Sequence, residues 1–377
     1  MTGIPLHNPQ IPESAHTYLR EVVNSGRLDG NGPFTARCEH WLEAQLGVSR
    51  ALLTNSGSTA LEIAALVLDI QPGDEIIMPS WTFPSTANAF VLRGGTPVFV
   101  DIRPDTLNLD EQQIEAAITP RTRAITVVHY AGVASEMDRI LAIARKHGLR
   151  VIEDAAQGFL ARYRDSYLGT LGDLGVLSFH QTKTAVCGEG GALLINDPTL
   201  LEHAEIARDK GTNRQAWLRG EVDSYQWTGI GVGAAPSEIT AAVLLAQLEQ
   251  AVSETATRQT AWHYYARRLG SLTSGLILQP DPSPNEINGS LFTVRAETAK
   301  EAHRIRNLLK KGGIEAAPHY VPLHITNTGS RIGRVPTPLP ITEITAKTLL
   351  RLPLWNRIDF ETQDRVITAL IQSASSS

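Results

Sequence analysis

With 377 residues, 42% of them hydrophobic, the chain can build a large core and more than one domain. Its net charge of -5 leaves no basic excess to grip a nucleic-acid backbone, so neither DNA nor RNA is expected as a partner. Two cysteines, Cys38 and Cys187, form no disulfide framework, and the 11 histidines show no ligand spacing, so no metal site is expected.

Residues 1–10 carry no basic start and no apolar run, and no stretch reaches ~18 uninterrupted apolar residues. The sequence therefore reads as a cytoplasmic protein without a signal peptide or a membrane span. The serines at 373, 375, 376 and 377 read as a frayed tail.

Helical spacing is expected over Pro12–Asn24 and Phe34–Leu46, the second ending at Gly47. The breaker-rich run Arg27–Pro33 separates them. Strands and helices then alternate. The strands are Ala51–Leu53, Glu75–Met78, Pro97–Val100, Ala124–Val128 and Arg150–Glu153. The helices are Thr59–Leu68, Pro84–Leu92, Asp110–Ile118 and Met137–His147. Short apolar strands rich in Val and Ile point to a mostly parallel sheet covered on both faces. Gly175–Phe179 and Gly191–Ile195 read as further strands. A long amphipathic segment spans Ser237–Leu269, and Pro280, Pro282 and Pro284 mark a loop or linker. The strand Leu291–Val294 and the helices Ala299–Lys311 and Glu361–Ile371 suggest a smaller α+β unit. The division expected is 1–250 and 251–377.

The pieces that can carry chemistry lie on loops after strands, where open α/β sheets bind ligands. In Thr54–Ala60, Gly57 allows a tight turn. The hydroxyls of Ser58 and Thr59 and the free helix amides can hold a phosphate, although plain N-caps look the same. Trp81, after the next strand, fits a platform for a flat ring or a core aromatic. In Glu153-Asp154-Ala155-Ala156-Gln157, a carboxylate ends a buried strand and needs a partner. Asp154 can pair with a protonated pyridine nitrogen; Glu153 should point the other way. Lys183 follows Ser178-Phe179-His180 and precedes Gly188-Glu189-Gly190-Gly191. Lysine is scarce, with seven in the chain and only Lys146 before this one. A lysine sheltered beside hydroxyls becomes a usable amine. A surface lysine is the bland alternative for Lys183 alone; the ordered set of phosphate cup, platform, ring partner and amine argues against it.

Together these motifs resemble the DegT/DnrJ/EryC/StrS sugar aminotransferases, over nearly the whole chain. The resemblance implies a fold-type-I, pyridoxal-phosphate-dependent α/β transferase. It implies a large, mostly parallel sheet of the seven-stranded type and a smaller C-terminal α+β domain. It assigns Lys183 as the Schiff-base lysine and Asp154 to the pyridine nitrogen. Gln157 falls near the ring oxygen, Trp81 on the ring face, and Ser58, Thr59 and Ser178 at the phosphate. Pro97–Thr106, His129–Ala134 and Lys210–Arg214 are similar to the branch that aminates C4 of dTDP-4-keto-6-deoxyglucose with glutamate. His319, Tyr320 and His324 fall where that family meets sugar and nucleotide. The family implies a homodimer. Many members donate an asparagine across it at about the position of Gly233, and Asn213 is the candidate replacement here. The other readings are a C3-specific aminotransferase and a non-catalytic, aminotransferase-like sensor. The configuration at the aminated carbon is not legible.

Overall fold

The computed structural model describes residues 3–270, 275–280, 282 and 284–375. The large sheet takes its strands from the first half of the chain: β1 (Arg50–Thr54), β2 (Glu75–Pro79), β3 (Thr96–Val100), β4 (Thr122–Val128) and β5 (Arg150–Asp154). A small hairpin follows, β6 (Arg162–Tyr163) with β7 (Ser166–Tyr167), and then β8 (Leu174–Ser178) and β9 (Gly191–Ile195) complete the sheet. It has seven strands in the order β1-β9-β8-β5-β4-β2-β3, and β9 alone runs antiparallel to its neighbours.

Alternation along each strand sends neighbouring side chains into two different cores. Leu53, Ile77, Val127 and Val151 pack on one face, with Cys38 and Leu42 of the helix Pro33–Leu46 and Ile140 of the helix Met137–His147. Leu52, Ile76, Met78 and Ile152 pack on the other, against the helices Gly57–Val67 and Pro84–Val91. Both faces are therefore covered, as the apolar strands require.

Local chemistry sets several helix ends. Pro33 opens its helix and Gly47, in the left-handed region at φ 72°, closes it. Three free amides at that start meet a buried carboxylate: Glu238 accepts from the backbone N–H of Gly32, Phe34 and Thr35, and also from the Thr35 hydroxyl. Ser56 and Ser237 cap the helices that follow them.

A second core forms around a three-stranded sheet, β10 (Leu276–Leu278), β11 (Phe292–Ala296) and β12 (Leu349–Leu352), with the helices Ala251–Gly270, Ala299–Lys311 and Phe360–Ser375. Ile4 joins this core and bridges to Ile314, so the N-terminal arm packs with the C-terminal unit. We keep 251–377 as the proposed small domain, with that arm added to it.

Some elements differ from expectation. Ser237–Leu269 is two helices, Glu238–Leu248 and Ala251–Gly270, and the first is buried over most of its surface. Asp110–Ile118 shrinks to a 3-10 turn, Glu111–Gln113, and one helical turn, Ile114–Ala117. The C-terminal helix continues through Ser375 with Ser373 buried, because its apolar face keeps packing; residues 376 and 377 lie outside the described residues. Pro280, Pro282 and Pro284 do fall between β10 and β11, while 281 and 283 lie outside the described residues.

Candidate active site

The loops after β1, β2, β5 and β8 converge at one edge of the large sheet, and β12 of the second sheet faces them. Between them lies a cavity of about 470 Å³. Lys183, Asp154, Gln157, Ser58, Ser178, His319 and Tyr320 all line it.

At one end, Ser56 accepts from the amide of Thr59 at 3.0 Å, leaving the amides of Gly57 and Ser58 without a partner inside the helix. The hydroxyls of Ser58 and Ser85 lie 2.6 Å apart, and Ser178 completes this wall. A Cβ on Gly57 would meet the Ser178 Cβ at 3.0 Å, and one on Gly191 would strike the Gly57 nitrogen at 2.5 Å. Glycine at these positions lets the loop close down on the strand ends. Thr59 is drawn away: its hydroxyl sits 3.0 Å from Ser56 Oγ, and it does not line the cavity.

Asp154 ends β5 on the same face as Ile152. Its Oδ2 accepts from the Thr86 hydroxyl at 2.7 Å and its Oδ1 from the Ala156 amide at 3.1 Å. Thr86 gives its one hydroxyl proton to Asp154, so Thr82, 2.7 Å from it, must be the donor in their contact. Glu153 points to the opposite face. There it accepts from the amides of Gly169, Leu171 and Gly172 and faces Nε2 of His129 at 2.9 Å, fully buried. Since His129 Nδ1 accepts from the Ser135 amide, the ring proton is on Nε2.

Lys183 follows β8 and is half-buried. Burial pushes its ammonium pKa below the usual lysine range; Asp154 opposes that shift and Arg351 reinforces it. Gln157 accepts from the Ala131 amide at 2.6 Å and donates to Tyr320 Oη at 2.7 Å. His319 Nδ1 lies 3.2 Å from Tyr130 Oη. Burial, then the charges of Arg351 and Lys183, hold the His319 pKa down at about 2, so its ring is neutral at physiological pH.

Besides Thr59, three residues singled out from the sequence stand elsewhere. Trp81 is fully buried behind the cavity, edge-on to Tyr130 and Tyr320; Phe83, two residues on and 57% exposed, lines the cavity in its place. The strand end turns Trp81 inward and leaves Phe83 at the opening. His324 braces the loop after β2, with Nδ1 2.7 Å from Ser80 Oγ and its amide donating to the same oxygen. Asn213 bonds within its own loop, accepting from the Gln226 amide and donating to the Ser224 carbonyl, and does not reach the cavity of its own chain. The sequence reading missed His7, Ser85, Thr86 and Arg351. Ser85 and Thr86 sit one turn beyond Thr82 at the start of a helix and were open to inference; His7 and Arg351 come from segments distant in sequence and carried no local signal.

The donor set suits pyridoxal phosphate. A helix N-terminus ringed by serines fits a phosphate dianion, a paired carboxylate fits a pyridinium N–H, and a sheltered amine fits an aldehyde carbon. Fold and site together define a fold-type-I pyridoxal-phosphate enzyme. The family model "DegT/DnrJ/EryC1/StrS aminotransferase family" matches residues 9–371, and the chain belongs to that family. It is 34% identical to the GDP-perosamine synthase of Caulobacter vibrioides over 368 residues, covering 97% of this chain and 96% of the relative. The GDP-perosamine synthase of Escherichia coli O157:H7 is 31% identical over 86% of each chain. Among solved structures, Helicobacter pylori PseC, described as an aminotransferase involved in the biosynthesis of pseudoaminic acid, superposes with a TM-score of 0.92 at 26% identity, over 100% of both chains. The protein is a pyridoxal-phosphate-dependent sugar aminotransferase. Among the described residues no helix is long and apolar enough to cross a membrane.

Proposed function

We propose that the enzyme transfers an amino group from glutamate to C4 of a nucleotide-linked 4-keto-6-deoxyhexose. The observation that carries this is the grouping of Lys183, Asp154 and the serine-ringed helix start in one cavity, with His319 and Tyr320 on the facing wall. The dTDP carrier suggested by the sequence draws no support from the two relatives named for a GDP-sugar, and we leave the base to experiment.

The cofactor, when bound, supplies an electron sink that stabilises a carbanion next to nitrogen. In our reading the chain's own groups do the rest. Ser58, Ser85 and Ser178, with the amides of Gly57 and Ser58, hold the phosphate. Asp154, fixed by Thr86 and Ala156, keeps the proton on the ring nitrogen. Phe83 covers the ring at the opening. Lys183, its amine made available by burial, takes the proton from the donor's α-carbon and returns one to the sugar carbon on the second pass. Tyr320, whose oxygen accepts from Gln157, keeps its own O–H free for a sugar hydroxyl.

We also propose a homodimer, located in the cytoplasm. Trp227 is 81% exposed and Ile230 66%, and Tyr225 is exposed beside them on the segment that holds Asn213. An apolar group of this size on one loop suits burial against a second copy, and there Asn213 would reach the partner's phosphate site.

The test is incubation of the purified enzyme with glutamate, pyridoxal phosphate and either of two 4-keto-6-deoxyhexoses, one carried on GDP and one on dTDP. NMR of the product sugar is expected to show an amino group at C4, with the H3–H4 coupling giving its configuration. An amino group at C3, or no amination of either sugar, overturns the reading.

A further inference from the structure

Tyr130 follows β4 and is 1% exposed, behind the wall that carries His319. It does not line the cavity. Among the described residues its hydroxyl has one hydrogen-bond partner, His319 Nδ1, at 3.2 Å. A neutral imidazole carries its proton on one nitrogen or the other, so the contact could run either way. Burial decides between them. If the ring donated, the phenol hydrogen would be sealed in without an acceptor, and a buried donor left unpaired is costly. The phenol must therefore donate, Nδ1 must accept, and the ring proton must sit on Nε2. Burial also raises the phenol pKa well above its usual range, so the hydroxyl keeps its proton. His319 lines the cavity, and among the described residues its Nε2 bonds no protein atom and is not sealed off. The ring is held in place: it stacks on Tyr320 with centroids 3.7 Å apart and leans on Tyr130 at 5.6 Å.

We propose that Tyr130 is a positioning residue: it locks His319 as an Nε2–H donor aimed at the carbonyl oxygen of the keto sugar, so that the site prefers the ketone it consumes to the amine it makes. The proposal rests on the transaminase reading above. A ketone oxygen can only accept hydrogen bonds, and an N–H fixed toward it polarises the carbonyl without giving up a proton. The charge of Lys183 acts on His319, which puts the ring near the reacting carbon. The neighbours on that wall donate as well. Tyr320 has its O–H free, since its oxygen accepts from Gln157, and the guanidinium of Arg351 has no acceptor to offer. The amino sugar carries an ammonium on the same carbon, and an ammonium can only donate. It meets N–H against N–H, and donors left facing one another disfavour that partner. A free imidazole would escape by moving its proton to Nδ1 and accepting through Nε2. Tyr130 closes that escape, because Nδ1 already accepts the phenol proton.

The experiment compares wild type, Tyr130→Phe and His319→Gln as holoenzymes. The 4-keto sugar nucleotide, on whichever carrier wild type turns over, is followed through KM. Its 4-amino product is titrated to a Kd on the visible absorption band of the bound cofactor. Retention of that band in the variants shows that the site is assembled. Phenylalanine at 130 keeps the ring and its packing but lets the imidazole exchange tautomers. Glutamine at 319 offers an N–H or a carbonyl oxygen as the ligand requires. Both variants should raise KM for the ketone and lower Kd for the amine, each by about 3- to 10-fold, the range for one neutral hydrogen bond. Lost packing alone would weaken both ligands, so shifts in the same direction, or no shift, overturn the proposal. Long-range proton–nitrogen NMR correlations of histidine-labelled wild type give a second readout, with His319 identified by the signal missing from His319→Gln. The ring proton is expected on Nε2, and a proton on Nδ1 overturns the lock. A wild-type band that neither L-glutamate nor the amino sugar alters overturns the transaminase reading, and the sugar contact falls with it, whereas the tautomer is still read by NMR.

Discussion

Gln157 donates to Tyr320 over 2.7 Å while accepting from the Ala131 amide over 2.6 Å, tying the loops after β5 and β4 to the wall that holds the candidate sugar contacts. Gln157→Leu removes both bonds and leaves the buried Ala131 amide unpaired. An unsatisfied buried donor costs about 1–3 kcal/mol, so unfolding by urea should register a loss of that size. Tyr320 also loses its anchor, and KM for the keto sugar should rise. Unchanged stability would mean that water replaces the glutamine at both ends.

The two aromatics after β2 should separate cleanly. Trp81 is fully buried against Tyr130 and Tyr320, so Trp81→Ala should destabilise the fold by about 3–5 kcal/mol. Phe83 is 57% exposed at the cavity mouth, so Phe83→Ala should change stability by no more than about 0.5 kcal/mol. If Phe83 covers the cofactor ring, its loss should raise the Kd for pyridoxal phosphate by up to about 10-fold, since ring stacking contributes about 0.5–1.5 kcal/mol. Spectrophotometric titration of the apoenzyme decides it. A tight Phe83→Ala and a weakened but folded Trp81→Phe would restore Trp81 to the ring.

The contrast between these two rings shows where sequence reasoning stops. Period-two alternation put Asp154 and Glu153 on opposite faces of one strand, because a strand obeys that geometry wherever it lies. The loop after β2 has no such period, so nothing local distinguishes the aromatic that turns inward from the one that stays at the opening. Ser58, Ser178 and Lys183 were legible because Ser178 ends a strand of the large sheet and the other two lie on the loops that leave its strands. Arg351 and His7 were not, since their approach depends on how the second sheet and the N-terminal arm dock against the first. The segment Ser237–Leu269 misled for another reason. Its first half, Glu238–Leu248, is buried on most sides, and a mostly apolar helix blurs the amphipathic period that marks a boundary.

For Lys183 the decisive comparison is between charge and proton transfer. Lys183→Ala removes the amine, and turnover should fall by at least ~10²–10⁴-fold, the usual contribution of a positioned acid–base group. Lys183→Arg keeps a cation in place but cannot release its proton near neutrality. Both variants should be equally inactive, and both should lose the absorption band of the lysine-bound cofactor. Activity in the arginine variant would make Lys183 an electrostatic element and remove it from the proton path.

The neutral imidazoles of His319 and His7 carry a consequence for acid stability. Their pKa values, about 2 and about 4 in the folded protein, lie below the ordinary 6.5, so between those values and 6.5 the unfolded chain binds more protons than the native one. Stability from these two groups is therefore complete above pH 6.5 and drains away as the pH falls below it, down to about 4 for His7 and about 2 for His319. At about one unit below 6.5 each should cost roughly 1 kcal/mol, allowing for their partial exposure. Carboxylates titrate too, so the measurement is a difference: urea unfolding of wild type and of His7→Gln/His319→Gln at pH 7.5 and 5.5. Wild type should lose roughly 2 kcal/mol more than the double variant over that interval. Equal losses would mean that both rings protonate in the folded state, and that the charge of Arg351 is already met by another group.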